Sequence, residues 1–186
     1  MEINVTVMTS TFWPYSAPTS APVLPSLLIE SSQSYERFYF SRHQGRRLTW
    51  LPSMGNADVR VAFKSRTHDL NVSTHAVIIL LLFETMSQDD FLTYQEIKEA
   101  TKIEESELKR NLQSLACAKY KILKKHPAGR DINDEDSFSF NADFSAPLQR
   151  LKISTVASKP ETNAERKETQ DRIDEERKHQ IDVSHP

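Results

Sequence analysis

Glycine and cysteine are scarce in this sequence. Three glycines occur among 186 residues, too few and too scattered to build a GxGxxG fingerprint or a P-loop. A glycine-rich phosphate-binding loop is therefore excluded. Cys117 is the single cysteine, which excludes a disulfide framework and a multi-cysteine zinc site. A lone cysteine fits a reducing compartment, so we expect the nucleus or the cytoplasm.

Long apolar runs and an excess of charge are also missing. The longest apolar run, residues 76–83, is far shorter than the about 20 residues that span a membrane. Glu2 stands where a signal peptide would be basic, so we expect neither a leader nor a membrane partner. The formal net charge of −2 gives no global field that favours nucleic acid. Apolar residues make up 38% of the chain, which is typical of a globular protein.

The N-terminal third reads as strand, extended segment, helix and hairpin. Residues 3–8 alternate between apolar and polar, which predicts a strand. Four prolines within residues 12–25 exclude a helix there and favour an extended segment. A helix is predicted over residues 26–43. Residues 48–50 and 57–63 alternate on either side of a turn-rich loop, which predicts a hairpin.

Three predicted helix starts in the middle of the chain share one sequence pattern. A short extended piece, residues 68–72, leads into the first of them. In each start, an apolar residue before the cap can pack on one in the first turn, the arrangement called a hydrophobic staple. The pairs are Val72 with Val77, Leu92 with Ile97, and Ile103 with Leu108. Thr93 and Glu96 also form a capping box, whereas Glu104 is a poorer cap than serine or threonine.

Strand-like pieces follow the three helices. Residues 120–125 and 137–140 flank a turn, so the order of strands, three helices and strands predicts a winged helix. Residues 151–155 alternate and predict a further strand. A polar linker and a charged helix close the chain.

We therefore predict an α+β fold: a small β-sheet with a packed helix, a winged-helix-like unit of three helices and a wing, and a charged C-terminal helix. The predicted domains are the α/β sheet region at 1–64 and 145–157, the winged-helix-like unit at 65–144, and the polar linker with the charged helix at 158–186.

No pattern indicates a catalytic, metal or cofactor site. Cys117 has no histidine within a helical turn, so packing is favoured over nucleophilic chemistry. The histidines show no metal-ligand spacing, and His75 is expected to be partly exposed or hydrogen-bonded. The carboxylates are scattered over predicted helix surfaces, with no pair in an apolar setting.

Basic residues on the third helix and the wing keep DNA binding open as an alternative, because that helix can enter a major groove. Against it, residues 64–131 hold eleven Lys or Arg and ten Asp or Glu. Three glutamates also stand at the start of the third helix, where phosphate contact requires cationic or neutral groups.

Several long motifs resemble the C-terminal half of a cullin, the scaffold of modular RING ubiquitin ligases. "EIKEAT", "SELKRNLQSLAC" and "FSFNADF" are most similar to the cullin four branch, in a fungal version. The stretches that carry the resemblance are 5–14, 35–50, 68–84, 93–127 and 165–182.

The resemblance implies a scaffold without catalytic residues of its own. It implies binding of a RING-box protein by β-augmentation, and through that protein of a ubiquitin-conjugating enzyme, in ubiquitin-dependent protein catabolism. The winged-helix-like unit would then be a rigid packing element, which further disfavours nucleic acid. The residues expected at the strand-addition site are Ile3, Val5, Val7, Leu151, Ile153 and Thr155.

The sequence departs from the family pattern after Asp182. No lysine matches the position that a ubiquitin-like protein modifies in cullins, and the resemblance does not extend to the N-terminal stalk, so we expect no substrate adaptor to be held. We therefore expect a truncated scaffold fragment. The alternatives are a winged-helix DNA-binding protein and a non-functional cullin remnant.

Overall fold

The computed structural model describes residues 2–9, 21–87 and 90–156. The chain divides into two compact units, Met1–Ile3 with Ala17–Val156, and Asn4–Ser16 with Ala157–Pro186. Within the described residues the first unit contains, besides a single 3-10 turn at Pro52–Met54, every α-helix and β-strand. In chain order these are α1 (Ser26–Arg42), β1 (Asn56–Ala62), β2 (Thr67–Ser73), α2 (Thr74–Leu82), β3 (Leu92–Thr93), α3 (Tyr94–Thr101), α4 (Glu105–Ala116), β4 (Leu123–His126), β5 (Ser137–Phe140) and β6 (Arg150–Lys152).

Of the second unit the structure describes residues 4–9 alone. Residues 2–9 form neither helix nor strand, so the strand predicted from their alternation is not formed. Alternation supplies the propensity, but a strand exists only where its backbone groups are paired. The predicted charged helix lies outside the described residues. No helix in the described part of the chain is long and apolar enough to cross a membrane.

One sheet has the order β1-β2-β6, with β1 and β2 antiparallel and β2 and β6 parallel. The predicted hairpin is therefore corrected: β1 pairs with the following segment, β2, and residues 48–50 are not a strand. The hairpin turns tightly, with the Phe63 N–H donating to the Arg66 carbonyl at 3.2 Å. Trp50 lies instead beside α1, where its indole Nε1 donates to Glu36 Oε1 at 2.6 Å.

The winged-helix-like unit consists of α2, α3, α4 and the antiparallel sheet β3-β5-β4. All three predicted helix starts are confirmed. The Ser73 side chain accepts from the Ala76 N–H, Thr93 and Glu96 form the capping box, and the Glu104 side chain accepts from the Glu107 N–H. Each side-chain cap satisfies a backbone donor that the first helical turn leaves unpaired.

The sheet and the winged-helix-like unit share one core. Strand β2 continues directly into α2 without a loop, and Leu70 of β2 and Ile79 of α2 are both fully buried in the same apolar cluster. The boundary predicted at 64/65 thus falls inside the β1-β2 hairpin, and β2 pairs with the sheet strands on both sides. The α+β fold class is confirmed.

His75 is buried near the start of α2, with 7% of its surface exposed; the expectation of partial exposure is therefore wrong. Its Nδ1 lies 3.9 Å from Glu107 Oε2 on α4. Burial lowers the pKa of His75 below its ordinary value, an effect that outweighs the opposite influence of the Glu107 carboxylate. His75 is the first of five consecutive buried residues of α2.

We expect the chain to lose stability as the pH falls from about 7.5 to about 5.5, and the His75→Leu variant to lose less. The folded-state pKa lies below the 6.5 of a free histidine, so the unfolded chain binds the proton first and protonation favours unfolding. This effect vanishes well above pH 6.5 and grows below it. Urea unfolding across this pH range measures it. Equal pH dependence in both proteins would show that His75 is not responsible.

Candidate partner-binding site at a sheet edge

Strand β6 is an edge of the first sheet. Its ladder with β2 is flanked by two hydrogen bonds, from the Asp69 N–H to the Gln149 carbonyl and from the Ile153 N–H to the Asn71 carbonyl, each 2.9 Å long. Within the described ranges no strand pairs with the other side of β6. This side is therefore an open edge.

The open edge presents backbone groups from alternate residues. Since Leu151 and Ile153 direct their N–H and carbonyl groups along the β2 ladder, the backbone groups of Arg150, Lys152 and Ser154 point away from β2. Unpaired groups in such a row form a template for an added strand. We call the backbone groups of Arg150, Lys152 and Ser154 the β6 edge.

The side chains beneath the β6 edge are anchored in the core. Leu151 is 2% exposed and Ile153 is 7% exposed, so the strand cannot rotate without exposing apolar surface. Arg150, Lys152 and Ser154 are exposed. The edge therefore combines a fixed apolar underside with free main-chain donors and acceptors, which is the arrangement that β-augmentation requires.

Among the strands of the described residues, none pairs with the outer edge of β1 either. Its register with β2 leaves Asp58 and Arg60 directing their backbone groups outward. The Arg60 guanidinium forms an ion pair with Asp69 at 2.8 Å, and this hydrogen bond is the main cause that lowers the pKa of the Asp69 carboxyl. Both edges carry charged side chains, Asp58 and Arg60 on β1 and Arg150 and Lys152 on β6, so charge alone does not distinguish them and an experiment must separate the two edges.

The residues predicted for strand addition fall into two groups. Leu151 and Ile153 are buried under the sheet, and Thr155 follows them half-buried. Ile3 and Val7 are exposed, at 40% and 44%, and Val5 is half-buried, all in a segment without strand structure. The predicted strand at 151–155 is shorter than expected, because its ladder ends at Lys152.

Sequence reasoning missed the side chains that hold the end of this strand. The Val156 N–H donates to Ser114 Oγ, and the Val156 carbonyl accepts from Arg110 Nε, both at 2.8 Å. Both partners lie on α4, more than forty residues earlier in the chain. No local pattern could have shown this contact, whereas the alternation at 151–155 already implied which backbone groups share an edge.

Four of the basic residues that suggested DNA binding, Lys109, Arg110, Lys124 and Lys125, are paired with carboxylates. Lys109 Nζ lies 2.7 Å from Glu105 Oε1 and 3.4 Å from Asp134 Oδ1. Lys109, followed by Lys98, lowers the pKa of Glu105 to about 2. Lys124 similarly contacts Asp143. Ammonium groups already paired with acids are poorly placed to neutralise phosphates, so this surface disfavours nucleic acid.

Cys117 does not form a nucleophilic site. It ends α4, where its thiol donates to the Gly129 carbonyl at 3.3 Å. Burial is the largest influence and raises the pKa of this thiol, against the opposing effect of Lys125. A protonated thiol is a weak nucleophile. Among the described residues no group of three or more His, Cys, Asp or Glu side chains is arranged to hold a metal ion.

The elements define an α+β domain with an embedded winged-helix-like unit and an open edge at β6. The family model described as Cullin alpha+beta domain matches residues 7–144. The chain is 51% identical to Cullin-3 of Schizosaccharomyces pombe, 42% identical to Cullin-3A of Arabidopsis thaliana and 36% identical to human Cullin-4A, and each match covers at least 97% of the chain. The chain therefore belongs to the cullin family.

The matches qualify the sequence resemblance in two ways. The identity with the fission-yeast Cullin-3 exceeds that with Cullin-4A, so these matches do not favour the cullin four branch that the motifs suggested. The chain spans 24% of the length of each of these three relatives.

Proposed function

We propose that this chain is a non-catalytic scaffold fragment of a cullin-RING ubiquitin ligase that binds a RING-box protein by strand addition. The observation that carries the proposal is the β6 edge, with unpaired backbone groups on Arg150, Lys152 and Ser154 above the buried Leu151 and Ile153. Membership of the cullin family supports the choice of partner. Main-chain hydrogen bonds would supply much of the affinity.

The N-terminal segment is a separate candidate for strand addition. Ile3, Val5 and Val7 keep a strand-like alternation without forming a strand, and Ile3 and Val7 are exposed. An alternating apolar segment of this kind gains a defined register when a partner pairs with it. We propose that these residues become strand in the complex.

The proposed role involves no chemistry by this chain. A RING-box protein held at the β6 edge would bring a ubiquitin-conjugating enzyme, for ubiquitin-dependent protein catabolism in the nucleus or the cytoplasm. The winged-helix-like unit would act as a rigid packing element. The ion pairs of Lys109 and Lys124 with carboxylates favour this role over a DNA-binding one.

Co-expression with a RING-box protein followed by size-exclusion chromatography tests the proposal. We expect a soluble one-to-one complex, because the β6 edge is formed within a unit that has its own buried core. If the chain were instead a winged-helix DNA-binding protein, it would bind random duplex DNA, and its affinity would fall steeply as the salt concentration rises. A soluble chain that elutes alone would overturn the proposed function.

A further inference from the structure

The chain leaving β6 is fixed at Val156 by two side chains of one helix. Ser114 Oγ accepts from the Val156 N–H and Arg110 Nε donates to the Val156 carbonyl, both at 2.8 Å. Ser114 is 2% exposed. Both backbone groups of a single residue are therefore held by α4, and we call this pair of hydrogen bonds the Val156 clamp.

A second anchor lies three residues earlier. The Ile153 N–H donates to the Asn71 carbonyl at 2.9 Å, and the Ile153 side chain is buried. Ser154 and Thr155 alone separate the two anchors. The segment that carries the end of the β6 edge is thus held on both sides, although strand pairing with β2 ends at Lys152.

Arg110 and Ser114 also form polar contacts within α4, so their contacts with Val156 are additional to those that stabilise the helix itself. The Ser114 hydroxyl also donates to the Arg110 carbonyl at 2.7 Å within the helix, and the Arg110 guanidinium forms an ion pair with Glu107 one turn away. Each side chain therefore has an intrahelical partner as well. Its contact with Val156 holds the segment after β6, where pairing with β2 has already ended.

We infer that Arg110 and Ser114 are positioning residues that order the β6 edge before a partner strand arrives. This inference rests on the proposed function. Both residues act through the backbone of Val156 and supply no edge group themselves. A segment that is already extended loses less conformational entropy when a strand is added, so binding is tighter than to a frayed edge.

Hydrogen exchange on the full chain tests the clamp without any partner. In Ser114→Ala and Arg110→Gln we expect the amides of Ile153 and Val156 to exchange about tenfold faster, since a segment that loses one of its two anchors opens more often. Gln113→Ala is the matched control: its Nε2 donates to the Arg130 carbonyl in the wing at 3.0 Å, so it removes one hydrogen bond of α4 without touching Val156.

Affinity for a RING-box protein tests the positioning role. Both clamp variants should bind about tenfold more weakly, the factor that ordering roughly one backbone residue costs. Gln113→Ala should bind as the parent does, even if its melting temperature falls equally. A loss that followed melting temperature in all three variants would indicate a structural role and overturn the inference.

Two further outcomes separate this inference from the proposed function. Unchanged exchange, or faster exchange with unchanged affinity, would overturn the positioning role while a binding parent chain keeps the proposed function intact. A parent chain that does not bind would overturn both, and in that case the failure is seen before any substitution is made.

Discussion

Replacing Lys152 with proline is expected to weaken binding of a RING-box protein by roughly 30- to 100-fold, because one donor is lost and ring carbons occupy its place on the edge. The Lys152 N–H is at the centre of the β6 edge and points away from β2. The hydrogen bonds that flank the ladder use Gln149 and Ile153 instead, so the fold should survive. Isothermal titration with the purified partner measures the effect.

Arg60→Pro is the matched control for this variant. Arg60 occupies the corresponding outward-facing position on β1, the other open strand of the same sheet. If a partner strand adds to β6, Arg60→Pro should bind as the parent chain does. Loss of binding in Arg60→Pro with retention in Lys152→Pro would move the site to β1 and contradict the proposal. Circular dichroism of both variants checks that the fold is kept.

The second large effect is expected at a buried ion pair in the wing. Lys125 Nζ lies 2.9 Å from Asp136 Oδ2, and the two side chains are 4% and 2% exposed. Replacing Asp136 with alanine should lower the free energy of unfolding by about 3–5 kcal/mol, because a buried ammonium group would lose its counter-charge. The carboxylate also accepts the Asn133 N–H at 2.6 Å, which adds an unpaired donor. Urea unfolding gives the value.

The double variant Lys125→Met, Asp136→Ala shows how much of this loss comes from an unpaired charge. Removing both charges leaves neither group uncompensated, so the double variant should be more stable than Asp136→Ala alone. Lys124→Met is the surface control, since its contact with Asp143 is half-exposed, and we expect a change of less than about 1 kcal/mol. Additive losses in the double variant would contradict this account.

Local signals predicted the helical part of the fold well. The staple and cap residues at Ser73, Thr93 and Glu104 placed three helix starts within a few residues of their observed positions. These signals work because a cap satisfies donors of its own first turn and needs nothing from distant parts of the chain. The helix over 26–43 was predicted from its apolar residues and from Gly45 as a stop signal, and it ends at Arg42 without a side-chain cap at its start.

Strand pairing was predicted less well, since each strand depends on a partner elsewhere in the sequence. Residues 48–50 alternate as a strand does, yet Trp50 lies beside α1 and leaves β1 to pair with β2. Residues 3–8 alternate too and remain without a strand. Periodicity gives the face that a side chain takes, but register and partner come from packing.

The candidate site likewise has features that local sequence predicts and features that depend on tertiary packing. The sequence alone determined that Leu151 and Ile153 share one face, that the chain lacks the glycines and cysteines of common phosphate and zinc sites, and that its motifs resemble cullins. The tertiary structure alone decided that β6 joins β2 in parallel, that its outer edge stays open, and that Arg110 and Ser114 hold Val156. The physical reason is the separation along the chain of the residues that interact. Caps and alternation involve residues a few positions apart, whereas an open edge exists only after strands distant in sequence have packed around one core.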